Sequence, residues 1–183
     1  MTRTSYMQTR GFTLMEVLVA LVVISIGVLG IAAMQASAIA STHSSQTESL
    51  VSIEARSLAD AMQANPNYWY SGALPASFTV SGPASGSTSA LGTVSDPTLG
   101  ASMPNCASTA CIAQDLAGYD LQTWGGQLTS LVPGATATIK CQVAQPVSCS
   151  IQVFWTQKST TAINSGTQST AAAVMSYTLV NQF

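Results

Sequence analysis

The sequence predicts an α+β fold, in which a long N-terminal α-helix packs on a small antiparallel β-sheet. Three observations lead to this prediction. Residues 17–34 form an apolar run without a charged side chain, a helical spacing of apolar residues continues beyond it, and segments of alternating apolar residues lie in the C-terminal third. Helix and strands segregated along the chain are typical of this class.

The composition limits the chain to one modest domain plus an additional long element, because its 183 residues exceed an ordinary single domain only slightly. Charged residues make up 7% of the sequence and the formal net charge is -2. General nucleic-acid binding is disfavoured, since no basic surface can form. The apolar share of 47% also argues against a disordered chain.

The N-terminal segment has the pattern of a membrane-spanning helix. Residues 1–10 are polar and carry Arg3 and Arg10 without any acid, and the apolar run that follows is 18 residues long. Such a run is long enough to cross a bilayer, and the basic flank favours a cytoplasmic N-terminus. An ordinary signal peptide is the alternative, and it would be cleaved after the apolar run.

Residues 11–21, with the sequence GFTLMEVLVAL, resemble the processing site of type IV prepilins and pseudopilins. The resemblance implies that a prepilin peptidase cleaves between Gly11 and Phe12 on the cytoplasmic side and that Phe12 is N-methylated. The apolar helix is then retained in the mature protein. The carboxylate of Glu16 is expected to neutralise the N-terminal amine of a neighbouring subunit and so to set the axial register.

Glu16 is itself informative because a carboxylate in the middle of a bilayer costs about 2.5–3.5 kcal/mol. An unpaired charge in a low-dielectric filament core is equally unfavourable, which supports a pairing role. The alternative is that the side chain extends to the lipid headgroups.

The boundaries follow from these patterns. Residues 1–11 are the leader, residues 12–35 the transmembrane and assembly helix, and residues 36–65 an amphipathic second half of the same helix. Leu50, Ile53, Ser57, Leu58, Ala61 and Met62 form its predicted apolar stripe. The helix is expected to end near Asn65, which precedes a proline.

Gly27 and Gly30 lie within the apolar run. Each lowers helix propensity by about 1 kcal/mol relative to alanine, which favours local melting. Small residues also allow membrane helices to pack closely, and both interpretations remain open.

Residues 66–183 are predicted to form a periplasmic head. A Ser/Gly-rich connecting loop is expected over 71–104, followed by a short helix over 113–132, in which Gly125 and Gly126 weaken the middle. Strands are predicted over 136–143, 148–155 and 172–180, with Gln145 and Pro146 in the turn between the first two.

The four cysteines occur as two close pairs, Cys106 with Cys111 and Cys141 with Cys149. Neither spacing is that of a zinc or thioredoxin motif, so an oxidising compartment is the simpler interpretation. A bond between Cys141 and Cys149 is reasonable if they face each other across a hairpin. Four cysteines allow three pairings, and the sequence leaves the choice open.

The stretch from Cys106 to Leu131, with two cysteines separated by four residues, followed by QDLAGYDL over residues 114–121 and by Trp124, resembles the head of minor pilins of the PilV type. The resemblance implies a subunit that sits first in the inner membrane as a single-pass protein with its head in the periplasm, and later in the pilus at the cell surface. Its implied partners are prepilin peptidase, other minor pilins, the major pilin and the inner-membrane assembly platform. Its implied action is to prime pilus assembly, at or near the tip.

Two other functions compete with this interpretation. A minor pseudopilin of type II secretion carries nearly the same processing motif. An adhesin or DNA-uptake receptor at the filament tip would use aromatic residues such as Tyr68, Trp69 and Tyr70, which are otherwise expected to pack under the connecting loop.

An enzyme is not expected, because His43 is the sole histidine and nothing orients its imidazole for general-base catalysis. Asp96, Asp115 and Asp120 form no metal-binding loop motif. No cofactor and no metal are therefore predicted.

Overall fold

The computed structural model describes residues 13–72, 74–158 and 172–183. The chain divides into two compact units, Met1–His43 and Ser44–Phe183, and each is considered by itself. The first unit contributes the N-terminal part of helix α1. The second contains the remainder of that helix and all of the other elements.

Helix α1 runs over Leu14–Ala64, a length of 51 residues. It ends as predicted, because Asn65 precedes Pro66 and leaves the helical region with φ -118° and ψ 62°. The buried amide of Asn65 donates a hydrogen bond of 2.7 Å to the carbonyl of Ala113. A single helical turn, α2 (Pro66–Trp69), follows.

The buried face of α1 lies on Val51, Ala55, Leu58, Ala59 and Met62. The predicted stripe contained Leu58 and Met62 but wrongly included Ile53, which is 60% exposed. The two alanines at the centre of the face let the helix approach its neighbours closely, and hydropathy alone undervalues such small residues. Burying a side chain such as Leu58 or Met62 stabilises the fold by about 1.5–3 kcal/mol.

The sheet has five antiparallel strands in the order β2-β1-β3-β4-β5. Their bounds are β1 Ser77–Ser81, β2 Thr93–Val94, β3 Thr136–Gln142, β4 Ser148–Lys158 and β5 Ala172–Gln182. The last three were predicted within one to three residues. The arrangement of a long N-terminal helix followed by a small antiparallel sheet is therefore confirmed.

The connecting loop predicted over 71–104 was wrong in part, because β1 and β2 lie inside it. Phe78 and Val80 face the core, and Leu99 is fully buried. β1 is five residues long and its two large apolar side chains stand among serines and glycines. That pattern is too short to be separated from a loop by composition.

Helix α3 covers Ala113–Leu131 and buries one face that includes Leu121, Trp124 and Leu128. It stops before Pro133 and Gly134, and the glycine has a φ of 78°, which suits a residue without Cβ. Gly125 and Gly126 do not interrupt the helix. A Cβ on Gly126 would lie 1.9 Å from the carbonyl oxygen of Ala90, so this glycine lets the loop cross the helix.

The core of Ser44–Phe183 lies between the inner sheet face and helices α1 and α3. Ile139, Ile151, Val153 and Trp155 supply the sheet side. Asn181 of β5 links the layers, because its amide donates to the carbonyl of Ala59 at 3.2 Å and its side-chain oxygen accepts from Gln63 at 2.8 Å. Val143, predicted to continue the inward alternation of β3, lies beyond the strand and is 48% exposed.

Both close cysteine pairs form disulfides, Cys106 with Cys111 and Cys141 with Cys149. Cys141 and Cys149 face each other directly in the register of β3 and β4. Cys106 and Cys111 close a short loop before α3.

Strand β5 lies at one edge of the sheet. Val174 and Val180 point outward and are 68% and 63% exposed. The strand contains neither a charged residue nor a proline.

Candidate functional site

The residues that carry the processing motif open helix α1. Thr13 stands just before the helix, and its hydroxyl accepts a hydrogen bond of 3.3 Å from the backbone amide of Glu16. This contact satisfies one of the free amides that every helix start presents. Glu16 occupies the first turn, where a carboxylate is favoured by the helix dipole.

Glu16 is exposed, and among the described residues neither an ion pair nor a hydrogen bond to its side-chain oxygens is formed. Gly11 and Phe12, the predicted cleavage and methylation positions, lie outside the described residues. The structure therefore presents an acid at the start of the helix that is available to a group from elsewhere.

The apolar run beyond Glu16 is exposed along its whole length. Its most hydropathic 18-residue window has a mean hydropathy of 2.9, with none of it buried. Leu29 and Ile31, for example, are 70% and 58% exposed. By length and composition this is the one described helix that could cross a membrane. In water such a surface is unfavourable, at roughly 25 cal/mol for each Å² of apolar area.

Gly27 and Gly30 lie within this exposed run. A Cβ added to either would meet no atom within 4 Å. Packing within the chain therefore does not require glycine at these two positions. Close packing against another helix and local melting both depend on what surrounds the segment.

The two halves of α1 differ in what they contact. In the second half, Ser49 and Ser52 turn their hydroxyls back onto helix carbonyls at 2.9 and 2.8 Å. Further along the same half, the indole nitrogen of Trp124 donates to the carbonyl of Glu54 at 2.8 Å. Burial raises the pKa of Glu54, and likewise that of Asp120 on α3.

The aromatic residues considered for ligand binding are mostly part of the core. Trp69 is 2% exposed and Tyr68 is 9% exposed, and their rings meet edge to face at 5.1 Å. Tyr70 is 49% exposed and lies against Phe183 at 5.4 Å. Two of the three rings therefore pack under the connecting segment and are unable to stack on a ligand.

His43 lies on α1 at the end of the N-terminal unit. Across the described ranges, no group of three or more His, Cys, Asp or Glu side chains is placed to hold a metal. Sequence reasoning treated Asp96 only as a metal candidate and overlooked its local role, in which it accepts hydrogen bonds from the backbone amides of Thr98 and Leu99 at 3.0 Å each. The sequence Asp-Pro-Thr is a signal for such a turn.

Comparison with known proteins identifies the N-terminal segment. Residues 6–32 match the family described as the prokaryotic N-terminal methylation motif. No curated protein and no solved structure matches the chain. The motif supports a type IV pilin-like protein, a pilin or a pseudopilin, that is processed by prepilin peptidase and anchored in a membrane. Proteins with this motif are structural subunits.

Proposed function

We propose that this chain is a minor pilin of a type IV pilus, incorporated in a minor-pilin complex that primes pilus assembly. The observation that carries the proposal is the methylation motif over residues 6–32, which extends into an apolar helix with no buried residue in its spanning window. Such a helix needs a bilayer or other helices to cover it. In this proposal the bilayer covers the helix before assembly, and the helices of neighbouring subunits cover it in the filament.

Cleavage between Gly11 and Phe12 would create a new amine at Phe12, four residues before Glu16. Removal of the leader also removes Arg3 and Arg10, so the new amine and Glu16 become the charged groups of the apolar segment. An amine and a carboxylate stabilise each other most strongly where water is excluded. Pairing with a neighbouring subunit would leave neither charge unpaired in the filament core and would favour one axial register.

The exposed glycines fit the same role. A helix that leaves the bilayer and enters a filament exchanges lipid contacts for helix contacts. Gly27 and Gly30 are open on the chain's own surface, where they permit close approach of a second helix or local extension.

The periplasmic placement of the head is supported by its disulfides. Cys106 with Cys111 and Cys141 with Cys149 account for all four cysteines. Disulfides persist outside the reducing cytoplasm. With the basic leader on the cytoplasmic side, the helix would carry residues 66–183 across the membrane.

Mass analysis of the native protein tests the processing step. The full chain is purified from cells with and without prepilin peptidase, and its N-terminus and intact mass are determined. We expect a chain that begins at Phe12 and carries one additional methyl group in the first strain, and an unprocessed chain in the second. A native chain that begins beyond Met34 would show an ordinary signal peptide and overturn the proposal.

Deletion of the protein separates a pilus subunit from a pseudopilin of type II secretion. Surface pili and secreted proteins are counted in the deletion strain and in a strain complemented with the full chain. We expect fewer pili with normal secretion, restored by complementation. Normal piliation with impaired secretion would assign the chain to the secretion system instead.

A further inference from the structure

An open cleft of about 560 Å³ lies in the head between the turn after α2 and the start of α3. Its walls include Tyr68, Leu74, Pro75, Asp96, Ile112 and Gln114. It lies entirely within Ser44–Phe183. Neither the processing motif nor the exposed apolar helix contributes a residue to it.

Asp96 places a negative charge in this cleft. One of its oxygens, Oδ1, accepts hydrogen bonds from the amides of Thr98 and Leu99 and from the Thr98 hydroxyl. Desolvation alone would raise the pKa of Asp96, but these hydrogen bonds outweigh it and the pKa is lowered. The turn therefore holds an ionised carboxylate, and within the described residues its second oxygen has neither a hydrogen-bond donor nor a cation beside it.

Tyr68 supplies a second polar group. The residue is 9% exposed, its ring is fixed against Trp69 at 5.1 Å, and it lines the cleft. Burial, followed by the charge of Asp96, raises the pKa of Tyr68, so the hydroxyl keeps its proton and lies near that charge. In the described part of the chain its oxygen has no hydrogen-bond partner, and it is not among the polar atoms buried without one, so the hydroxyl is open to the cleft.

The remaining walls are apolar. Leu74 and Pro75 line one part of the cleft, and Ile112 is 67% exposed at its mouth. A ligand that fits these walls needs an aliphatic portion next to a charged head with hydrogen-bond donors. Lysine and arginine side chains have this construction.

Other ligands fit less well. Calcium takes six to eight oxygen ligands, usually from several carboxylates, whereas Asp96 is the single carboxylate among the lining residues. Anions are repelled by Asp96. The sequence of residues 44–183 contains six acids and three bases, and this excess attracts positively charged partners at long range.

We infer that this cleft binds a lysine or arginine side chain of a partner protein. The cationic head lies between the free oxygen of Asp96 and the hydroxyl of Tyr68, and the aliphatic stem lies on Leu74 and Ile112. The inference does not depend on filament assembly, and it holds for a pilin or a pseudopilin alike.

Titration of the full chain in detergent micelles with a blocked tripeptide, acetyl-Gly-Lys-Gly-amide, tests this inference. Binding is followed by the methyl resonances of Ile112, with the remaining methyl resonances as a check that the fold is intact. We expect a saturable shift that weakens as salt is added. The same tripeptide with an acetylated lysine, which has no charge, should bind at least about tenfold more weakly, as expected for loss of a charge-assisted hydrogen bond.

Three variants locate the site. Asp96→Asn keeps an oxygen for Thr98 and Leu99 but removes the charge, and it should weaken binding about tenfold. Tyr68→Phe removes only the hydroxyl and should weaken it about threefold. Asp60→Asn removes an exposed carboxylate of α1 that does not line the cleft, and it should leave binding unchanged. Equal binding of the charged and acetylated peptides, or unchanged affinity in Asp96→Asn, would overturn the inference.

Discussion

The indole nitrogen of Trp124 in α3 donates a hydrogen bond of 2.8 Å to the backbone carbonyl of Glu54 in α1. The two residues are 70 positions apart in sequence. A second hydrogen bond, of 2.7 Å, runs from the side-chain amide of Asn65 to the carbonyl of Ala113 at the start of α3. Together the two contacts fix how α3 lies along α1. The order of the two contacts along the chain shows that α3 is antiparallel to the last turns of α1.

Removing the donor of Trp124 should destabilise the head. Trp124→Phe shrinks a buried ring and also loses the hydrogen bond, so the free energy of unfolding should fall by the cost of the smaller ring plus about 1 kcal/mol for the bond. Trp155 provides a matched control, because its indole nitrogen is buried without a hydrogen-bond partner among the described residues. Trp155→Phe also shrinks a buried ring (4% exposed) but breaks no hydrogen bond, so it should cost about 1 kcal/mol less than Trp124→Phe. Denaturant unfolding of the full chain in micelles measures both, and equal losses would contradict the role of the Trp124 bond.

Gly126 should not tolerate a side chain. A Cβ there would lie 1.9 Å from the carbonyl oxygen of Ala90, so Gly126→Ala must displace the loop, at a cost of about 1–3 kcal/mol. Gly27→Ala is the control, since its Cβ meets nothing within 4 Å. We expect the control to leave the unfolding midpoint of the head unchanged. A Gly126→Ala protein as stable as the parent would show that the loop yields freely.

The stability of the head should decrease as pH rises through the titration of Glu54. Burial raises the pKa of this acid above its ordinary value of 4.5, so the folded state binds the proton more tightly than the unfolded state. The stabilisation that this tighter proton binding gives is fully present below pH 4.5. It is lost as the pH rises through the raised pKa of Glu54 in the folded state. Asp120 acts in the same direction.

Glu54→Gln should flatten this pH dependence and raise stability near neutral pH, because no charge then has to be desolvated. Glu48→Gln removes an exposed carboxylate from the same helix and is the control. Unfolding midpoints measured from acid to neutral pH give the slope for each protein. A slope that is unchanged in Glu54→Gln would assign the dependence to another group.

Glu16→Gln should reduce entry into filaments without preventing membrane insertion or cleavage. The proposed partner amine would lose its counter-charge, and we expect the ratio of filament protein to membrane protein to fall at least about tenfold. Glu16→Asp, which keeps the charge on a shorter side chain, should enter filaments more efficiently than Glu16→Gln. Quantification of sheared pili and of membranes gives the ratio. Equal incorporation of the Gln variant and the parent would remove the pairing role.

The two disulfides should differ in accessibility and in contribution to stability. Cys149 is fully buried and Cys141 is 7% exposed, whereas the Cys106 loop lies on the surface, so mild reductant should open Cys106–Cys111 first. Loss of the Cys141–Cys149 bond should cost about 2.5 kcal/mol from its loop length, and loss of the other about 2 kcal/mol. Thiol labelling followed by mass analysis gives the order of reduction. Simultaneous opening would contradict it.

The sequence was most informative where one physical requirement governs a long segment. Residues 17–34 had to be a helix covered by lipid or by other helices, and the strands around Ile139 and Ile151 had to alternate because one face is buried. β1 escaped detection because Phe78 and Val80 are held by pairing with β3, a non-local contact. Its own five residues carry little periodicity.

Of the two candidate sites, the processing motif could be predicted from the sequence and the cleft could not. The processing motif is continuous along the chain, so Gly11, Phe12 and Glu16 could be identified from the order of the residues alone. The cleft is assembled from Tyr68, Asp96 and Ile112, which are distant in sequence. Only the fold brings them together, because α2, the turn at Asp96 and the start of α3 converge on it.

The uncharged edge strand β5 has a practical consequence for work with the purified protein. Most soluble proteins protect edge strands with lysine, proline or a β-bulge, because the unpaired backbone N–H and C=O groups can pair with a strand of another molecule. β5 contains neither lysine nor proline among its 11 residues. Concentrated samples should therefore form sheet-rich oligomers with time, and a lysine in place of the outward-facing Thr178 is the substitution that should delay them.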